Sequence, residues 1–327
     1  MQQFAVFPGA HRVELAEAAL PKVAPDQFLL RARITGISAG TEGMWFAGTA
    51  TAIRSGRKSY PYRPGYEFVG EVVTVGDQVG GLAPGDRVFT LKQHGTHALV
   101  GPADVWFKLP PELADEDALA MALCGTSIHA VHRAEPQFGA TVAVVGLGAL
   151  GLIMTQVLRH GPAGRVVAVT TSPRKARWAE ECGADLVLAG DVTAHAAPAD
   201  VAAAFECSGT NPGLDRAVAV LAPQGKLVCA GFYTEPLALS GEDLFAKELT
   251  VLGVRVRGPM VPASEFLRWN AAANMQLAFE LIRGGAVRLA PWVTHRVTPA
   301  ELAATYRMIA ARDEPFGQIV IDWTGHG

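Results

Sequence analysis

The stretch Gly146-Leu147-Gly148-Ala149-Leu150-Gly151 decides the fold of this chain. It follows a β-branched apolar run at 141–145 and opens a segment with helical apolar spacing at 152–160. Between a strand and a helix, this glycine spacing is typical of a dinucleotide-binding turn. The first glycine allows a tight turn, the second lets a pyrophosphate approach the backbone, and the third lets helix and strand pack closely. The helix N-terminus adds unpaired N–H groups for the phosphates. The alternative is a glycine-rich turn in another kind of α/β protein.

The next strand indicates which dinucleotide binds. A β-branched run at 165–169 ends in Thr170-Thr171-Ser172-Pro173-Arg174-Lys175. An NAD site normally has an acid about 20 residues past the glycines to bind the adenosine ribose, and Thr170 stands there instead. Hydroxyls together with the cations Arg174 and Lys175 favour a 2′-phosphate, so we predict NADP(H) over NAD(H). Alternatively, Ser172 and Pro173 only begin a helix whose first turn carries the two cations in solvent.

Composition and charge exclude several classes of protein. The 327 residues accommodate two domains, and a hydrophobic fraction of 50% with 18% charged residues excludes a disordered chain. A net charge of −3 gives no footprint for nucleic acid, and no apolar run reaches the roughly 20 residues of a membrane span. The N-terminus has no signal-peptide pattern, and the four cysteines have no paired spacing. We therefore expect a cytoplasmic protein with reduced thiols, no nucleic-acid partner and no membrane.

The pattern of apolar runs changes along the chain. Short runs between Gly/Pro turns predict mostly antiparallel strands at 28–34, 68–75, 87–91 and 98–100. A long buried helix at 117–133 then begins a βαβ region, with further parallel strands at 201–206, 226–230 and 250–256. The tail returns to helices at 264–283 and 299–311 and a closing strand at 317–321. The sequence thus predicts an α/β protein with a separate β-rich part.

Further motifs carry a family resemblance. They are Gly36-Ile37-Ser38-Ala39-Gly40-Thr41-Glu42, Pro64-Gly65-Tyr66-Glu67-Phe68-Val69-Gly70-Glu71-Val72, Val75-Gly76, Pro84-Gly85-Asp86-Arg87-Val88 and Glu181-Cys182-Gly183-Ala184-Asp185. With the glycine stretch, the whole chain resembles the medium-chain dehydrogenase/reductase superfamily, that is, the zinc-type alcohol dehydrogenases and their zinc-free relatives. Together with 230–237, the motifs are most similar to the subgroup of bacteriochlorophyllide a dehydrogenase.

The resemblance implies a division into two domains. A GroES-like, mostly antiparallel β catalytic domain would comprise 1–114 and 262–327. A Rossmann cofactor domain with a doubly wound parallel sheet would comprise 115–261. The active site would lie in the cleft between them, where the carboxyl ends of the parallel strands also favour cofactor binding.

The chain departs from the family at the metal ligands. Zinc-dependent members have cysteine, histidine and a third ligand where this chain has Ser38, Tyr66 and Ala122. Hydroxyl, phenol and methyl groups do not form a zinc site, which needs thiolate, imidazole or carboxylate donors. The four-cysteine lobe of a structural zinc is absent as well. We therefore predict no metal.

Without a metal, side chains must stabilise the negative charge that hydride transfer builds on a ketone oxygen, and must deliver a proton. The resemblance gives six candidates for these tasks, which are Ser38, Thr41, Glu42, Tyr66, Glu67 and His94. Tyr66 is the leading oxyanion donor because it replaces a ligand. The alternatives are a packing role for Tyr66, structural hydrogen bonding by Glu42 and Glu67, and a surface loop for His94.

Cofactor contacts also follow from the resemblance. Thr126 matches the threonine at the nicotinamide end, and two strand ends, at Cys207-Ser208 and at Gly231-Phe232, border the cofactor. The alternative for the small residues among them is close packing at strand ends. The glycine stretch, Thr170 to Ser172, Arg174 and Lys175 complete the predicted cofactor site.

We accordingly expect a zinc-independent, NADP(H)-dependent oxidoreductase that interconverts a secondary alcohol and a ketone, with a sugar, cyclitol or other secondary metabolite as substrate. The alternatives are a quinone or enoyl reductase and a protein that binds NADPH without turnover. The resemblance implies a homodimer that pairs through the edge of the Rossmann sheet, and the apolar run at 250–256 is a suitable edge strand for it. The loop at 47–63 has four cations and no acid, which predicts an anionic or sugar-like substrate, unless it is an ordinary solvated loop.

Overall fold

The computed structural model describes residues 1–190, 198–264, 267–311 and 315–325. In chain order, its strands are β1 (Gln2–Gly9), β2 (Arg12–Ala18), β3 (Phe28–Ile37), β4 (Glu67–Val75), β5 (Arg87–Thr90), β6 (His97–Val100), β7 (Trp106–Lys108), β8 (Ala140–Val145), β9 (Ala163–Thr170), β10 (Leu186–Ala189), β11 (Val201–Glu206), β12 (Lys226–Cys229), β13 (Thr250–Gly253), β14 (Val293–Val297) and β15 (Gln318–Asp322). Its α-helices are α1 (Ala39–Ala47), α2 (Thr51–Arg54), α3 (Asp115–Ala118), α4 (Met121–Ala134), α5 (Ala149–Arg159), α6 (Pro173–Glu181), α7 (Asn211–Val220), α8 (Gly241–Ala246), α9 (Ala271–Arg283) and α10 (Leu302–Ala311).

The chain folds into two compact units. The first comprises residues 1–120 and 289–327, and the second comprises residues 121–288. The first boundary lies a few residues after the predicted division at 114/115, and the second lies well beyond the predicted division at 261/262. The larger difference concerns the second boundary. The reason is that α9 packs on α4, and that Asn274 of α9 donates its amide to the carbonyl oxygen of Arg257 at 2.9 Å. The segment that we expected to join the catalytic domain is therefore part of the cofactor domain by its contacts.

The first unit is built on a mostly antiparallel sheet. Within the described residues, the strand order is β14-β15-β3-β4-β5-β7, β6 also pairs with β3, and β14 and β15 run parallel. Alternate side chains of β3 and β4 enter a core of large apolar residues, among them Phe28, Phe68 and Trp323. This is the predicted GroES-like architecture. Ser38 directly follows β3, and Tyr66 directly precedes β4.

The second unit contains the predicted doubly wound parallel sheet. Its strand order is β10-β9-β8-β11-β12-β13, with every pair parallel. The order reverses between β8 and β11, and such a switch point leaves a crevice at the carboxyl ends of the strands. Strand β8 is a continuous apolar run because both of its faces are covered, and Val142 to Val144 are fully buried. The glycine stretch follows β8 directly, at this switch point.

Several helices are shorter than predicted. The predicted helix 117–133 is two helices, α3 and α4, and the predicted helix 264–283 begins only at Ala271, where Asn270 caps the backbone N–H of Ala273. The loop 47–63 contains the short helix α2, and the edge strand β13 ends at Gly253 rather than at residue 256. Among the helices of the described residues, none is both long enough and apolar enough to cross a membrane.

Candidate functional site

The glycine stretch adopts the geometry that each glycine was expected to provide. Gly146 has a φ of +88°, which turns the chain sharply after β8. A Cβ on Gly151 would lie 2.0 Å from the carbonyl oxygen of Gly146, so only glycine lets α5 pack this closely. A Cβ on Gly148 would meet no atom within 4 Å. The space over Gly148, at the start of α5, is therefore open, as a site for a pyrophosphate requires.

The segment after β9 begins a helix as the sequence predicted. Ser172 is the N-cap of α6, with Pro173 in its first turn, and its hydroxyl accepts from the backbone N–H of Lys175 at 3.5 Å. Thr170 is buried, and its hydroxyl accepts from the N–H of Ser172 at 3.1 Å. The guanidinium of Arg174 lies 5.1 Å from the ring centroid of Trp178, on its own helix, and Thr171 is exposed. The residues that follow β9 along the chain, Thr171 and Ser172, carry hydroxyls and no carboxylate.

One buried acid, Glu206 at the end of β11, is hydrogen-bonded to the segments that follow β11 and β12. Sequence reasoning did not single it out. Glu206 is fully buried and its carboxylate accepts from the N–H and hydroxyl of Ser208, from the N–H of Gly209 (3.0 Å) and from the hydroxyl of Tyr233. Burial and the charge of Glu206 raise the pKa of Tyr233, which keeps this phenol a donor. The signal for Glu206 was present in the sequence: an acid ends an apolar strand directly before Cys207 and Ser208.

The remaining cofactor candidates lie around this acid or on α4. The N–H of Gly231 donates to the carbonyl oxygen of Glu206 at 2.8 Å, and Phe232 beside it is 55% exposed. Burial, followed by the charge of Glu206, raises the pKa of Cys207 well above its usual value. Thr126 on α4 is buried, donates to the carbonyl oxygen of Ala122 at 2.8 Å and accepts from the N–H of Arg257 at 3.1 Å.

In the first unit, Ser38 and Tyr66 are hydrogen-bonded to each other. Ser38 precedes α1 without capping it, and its Oγ instead accepts from the phenol of Tyr66 at 2.6 Å. Burial and then the nearby carboxyl of Glu67 raise the pKa of Tyr66, while hydrogen bonds with Ser38 and Thr41 oppose the shift. Tyr66 therefore stays a neutral O–H donor throughout the ordinary pH range. Ser38, Thr41 and Tyr66 are half-buried as residues, so they are the accessible part of the cluster.

A second layer holds Glu42 below those hydroxyls. Glu42 is 1% exposed, and its Oε1 accepts from the N–H of Ser38 at 2.8 Å. Its Oε2 accepts from the phenol of Tyr306 at 2.5 Å and contacts Nε2 of His94 at 2.9 Å. Three donors around one carboxyl fit an ionised carboxylate. Glu42 thus positions the backbone of Ser38 from inside the core.

His94 is part of this layer, and not the surface histidine of the alternative interpretation. It is fully buried, and its Nδ1 contacts the hydroxyl of Thr35 at 2.8 Å, which also accepts from the indole N–H of Trp323 at 2.9 Å. When Nε2–H donates to Glu42, Nδ1 of a neutral imidazole accepts from Thr35. Both ring nitrogens are therefore used inside the core, and His94 supports Glu42 rather than touching a substrate.

Glu67 forms a separate buried carboxyl. It is fully buried, its Oε2 accepts from the amide of Gln318 at 3.3 Å, and its Oε1 has no hydrogen-bond partner among the described residues. Burial, and then the charge of Glu42, raises the pKa of Glu67 well above its usual range. A Cβ on Gly36 would lie 2.2 Å from Oε2, so that glycine provides the space for the carboxyl. Burial therefore favours the neutral, protonated form of Glu67.

The six catalytic candidates thus fall in one unit and form two layers. Ser38, Thr41 and Tyr66 are reachable hydroxyls, whereas Glu42, Glu67 and His94 are buried behind them. Sequence reasoning missed their partners Thr35, Tyr306, Gln318 and Trp323. Tyr306, Gln318 and Trp323 belong to the C-terminal segment, which only the fold brings onto these motifs, so no local pattern pointed to them.

The donor chemistry fits a dinucleotide and does not fit zinc. Open space over Gly148 at a helix N-terminus can hold a pyrophosphate, as described above. The positions expected to hold zinc carry the hydroxyl of Ser38 and the phenol of Tyr66, which bind each other. Among the described residues, no group of three or more histidine, cysteine, aspartate or glutamate side chains could hold a metal ion.

The cations of the loop 47–63 lie on the surface. All four cations are exposed residues, namely Arg54, Arg57, Lys58 and Arg63. The guanidinium of Arg57 donates to the hydroxyl of Ser55 at 3.0 Å, and that of Arg63 lies 3.9 Å from the ring centroid of Phe4. Their role toward a substrate stays a prediction.

Comparison with known proteins agrees with this geometry. Residues 24–104 match the alcohol dehydrogenase GroES-like domain, and residues 149–271 match the zinc-binding dehydrogenase family. The chain is 29% identical to the 2-desacetyl-2-hydroxyethyl bacteriochlorophyllide A dehydrogenase of Cereibacter sphaeroides, over 97% of each chain. It is 26% identical to an erythritol/L-threitol dehydrogenase of Mycolicibacterium smegmatis, over 95% of each.

A solved structure with the same fold is that of a putative zinc-binding dehydrogenase from Sinorhizobium meliloti bound to NADP. Its TM-score is 0.79 at 21% identity, covering 98% of this chain and 99% of that one. The two matching domain models, the full-length relatives and the two observed sheets agree with one another. The chain therefore belongs to the medium-chain dehydrogenase/reductase superfamily of oxidoreductases, in a subgroup that resembles bacteriochlorophyllide a dehydrogenase.

Proposed function

We propose that this protein is a zinc-independent, NADP(H)-dependent oxidoreductase that interconverts a secondary alcohol and a ketone. The observation that carries the proposal is the hydrogen bond of 2.6 Å between Tyr66 and Ser38, the two residues at positions where zinc-dependent relatives have ligands. A pair of accessible hydroxyls bound to each other is suited to donating hydrogen bonds to a substrate oxygen. Neither group is a zinc ligand.

The cofactor assignment has separate support. The turn at Gly146 to Gly151 has the open approach and the tight packing that a dinucleotide needs. Thr170 offers a hydroxyl where a carboxylate would repel a 2′-phosphate, and Arg174 and Lys175 lie in the first turn of the helix that follows. These residues favour the phosphorylated nucleotide. Bound there, the nicotinamide ring supplies or accepts the hydride.

The protein side chains have distinct tasks in this reaction. Tyr66 remains a neutral phenol because burial raises its pKa. Its O–H donates to Ser38 in the structure, and on substrate binding it would turn to the oxygen that becomes negative and give it the proton. Ser38, within hydrogen-bond distance of the phenol, would pass its own proton to Tyr66 and regain one from solvent. Glu42 fixes the backbone of Ser38, and His94 and Tyr306 hold Glu42. These buried groups position the hydroxyls and do not contact the substrate.

Substrate class and assembly are extensions of the same proposal. The relatives named above act, according to their names, on a 2-desacetyl-2-hydroxyethyl bacteriochlorophyllide and on erythritol or L-threitol. We infer a small-molecule secondary alcohol of that general kind for this chain, in a cytoplasmic setting. The edge strand β13 exposes Val251, which supports pairing of two copies through this edge into a homodimer.

Product analysis tests the proposed function. The purified protein is incubated with NADPH or NADH and a panel of ketones, quinones and enones, and the products are identified by mass spectrometry. We expect NADPH-dependent conversion of a ketone to the alcohol. With enones, the C=O bond should be reduced and the C=C bond should stay intact. Saturation of C=C bonds would favour the enoyl reductase alternative. Tight NADPH binding without any product would favour a non-enzymatic role.

A further inference from the structure

The carboxyl of the buried acid Glu206 accepts several hydrogen bonds at the end of β11. It ends β11, is fully buried, and accepts from four donors: two groups of Ser208, the N–H of Gly209 and the phenol of Tyr233. Its own carbonyl oxygen accepts from the N–H groups of Ala230 and Gly231 at 2.9 and 2.8 Å. Every contact of the carboxyl is with an N–H or O–H donor, which fits an ionised carboxylate.

This negative charge has no cationic partner. In the described part of the chain, no lysine, arginine or histidine side chain forms an ion pair with Glu206. Burying a charge is unfavourable unless hydrogen bonds and an opposite charge compensate it. The four donors supply the hydrogen bonds. The carboxyl also lies at the start of α7, since a Cβ on Gly213 in the first turn would lie 2.5 Å from its Oε1. The partial positive charge of that helix N-terminus is therefore the opposite charge that Glu206 has, and no full side-chain cation accompanies it.

The charge also lies beside the glycine turn. A Cβ on Gly146 would lie 2.7 Å from the Cβ of Ser208, the residue whose N–H and hydroxyl both bind Glu206. A Cβ on Gly231 would lie 2.2 Å from the N–H nitrogen of Gly209 and 3.1 Å from Oε2 of Glu206. Backbone of two strand ends and of the turn therefore converges on one carboxylate, at the edge of the sheet where a dinucleotide would bind.

We propose that Glu206 biases the protein toward the oxidised form of its nicotinamide nucleotide. The ring of the oxidised nucleotide carries a positive charge that the reduced ring lacks. A fixed carboxylate at this edge that no side-chain cation neutralises therefore stabilises the oxidised form relative to the reduced one. This inference rests on the proposed function. It assigns Glu206 as a positioning and electrostatic residue that shifts the balance between the two bound forms of the nucleotide.

Separate measurement of the two dissociation constants tests the inference. Titration calorimetry gives the Kd of NADP⁺ and that of NADPH for wild type, Glu206→Gln and Glu206→Asp. In Glu206→Gln we expect the Kd of NADP⁺ to rise about tenfold and that of NADPH to change less than about twofold, as expected for loss of one nearby charge. In Glu206→Asp, which keeps the charge, the ratio of the two constants should stay near that of wild type.

A purely structural role gives a different result. Loss of loop geometry would weaken both nucleotides equally in Glu206→Gln, and that outcome would overturn the inference. If Glu206→Gln does not fold, Tyr233→Phe provides the test, because it removes one donor and leaves the charge less compensated. The preference of Tyr233→Phe for NADP⁺ should then hold or increase, and a decrease would contradict the inference. Failure of wild type to bind either nucleotide would instead refute the proposed function.

Discussion

Glu67 provides a quantitative test of the buried layer. Its carboxyl is fully buried, with one oxygen without a partner and the other 3.3 Å from the amide of Gln318. Burial raises its pKa in the folded protein above the unfolded value of about 4.3. Between these two pKa values the folded state binds more protons than the unfolded state, so stability falls as the pH rises.

The substitution Glu67→Gln removes this titration and keeps the shape of the neutral acid, since the amide carbonyl can still accept from Gln318. The variant should therefore gain stability over wild type as the pH rises above about 4.3, by up to about 1.4 kcal/mol per pH unit until the folded pKa is passed. Between pH 5 and 7 the gain is at most about 2.8 kcal/mol. Below pH 4 the difference in stability between the two proteins should no longer change with pH.

Urea unfolding at a series of pH values, followed by tryptophan fluorescence, to which buried Trp323 contributes, measures this difference. Glu71→Gln is the matched control, because Glu71 lies on the same strand and makes only a loose ion pair with Arg31, at 3.6 Å. Its stability difference should depend little on pH in this range. A pH-independent difference for Glu67→Gln, or one that decreases as the pH rises, would refute the assignment of Glu67 as a buried neutral acid.

Three further predictions concern the hydroxyls and the cofactor turn. Tyr66→Phe should lower kcat for ketone reduction by about 10²- to 10³-fold, the usual effect of losing an oxyanion donor, whereas Tyr62→Phe should stay near wild type; equal losses would contradict the donor role. Thr170→Asp should weaken NADPH relative to NADH by at least about tenfold in binding titrations, because a carboxylate repels the 2′-phosphate, and an unchanged ratio would contradict NADP(H) selection. Gly148→Val should abolish nucleotide binding with little change in melting temperature. Gly151→Ala should instead lower stability by about 1–3 kcal/mol, because its Cβ would lie 2.0 Å from a carbonyl oxygen, and the reverse pattern would refute our assignment of the two glycines.

Local patterns were sufficient to predict the fold of each unit. The glycine spacing, the continuous apolar run of β8 and the Ser172-Pro173 helix start are local features, and each has the predicted structure. Helix ends were less predictable. The helix expected at 264 begins at Ala271, because Asn270 offers a cap and Asn274 must reach the carbonyl oxygen of Arg257.

The buried layer could not be predicted, because its contacts join distant parts of the chain. Glu42 and Tyr306 are 264 positions apart, and Glu67 and Gln318 are 251 positions apart. Such pairs arise only when β15 and α10 of the C-terminal segment fold against β3, β4 and α1. The motif residues alone could therefore identify Tyr66 and Ser38 as candidates. They could not indicate that His94 is enclosed or that Glu67 lacks a partner.

Metal content is the most direct test of the central claim that side-chain hydroxyls polarise the substrate oxygen. The purified, active protein is analysed by inductively coupled plasma mass spectrometry before and after dialysis against a strong chelator, and ketone reduction with NADPH is measured on the same samples. We predict far less than one zinc per chain and full activity after chelation. Stoichiometric zinc whose removal abolishes activity, and whose return restores it, would contradict the account.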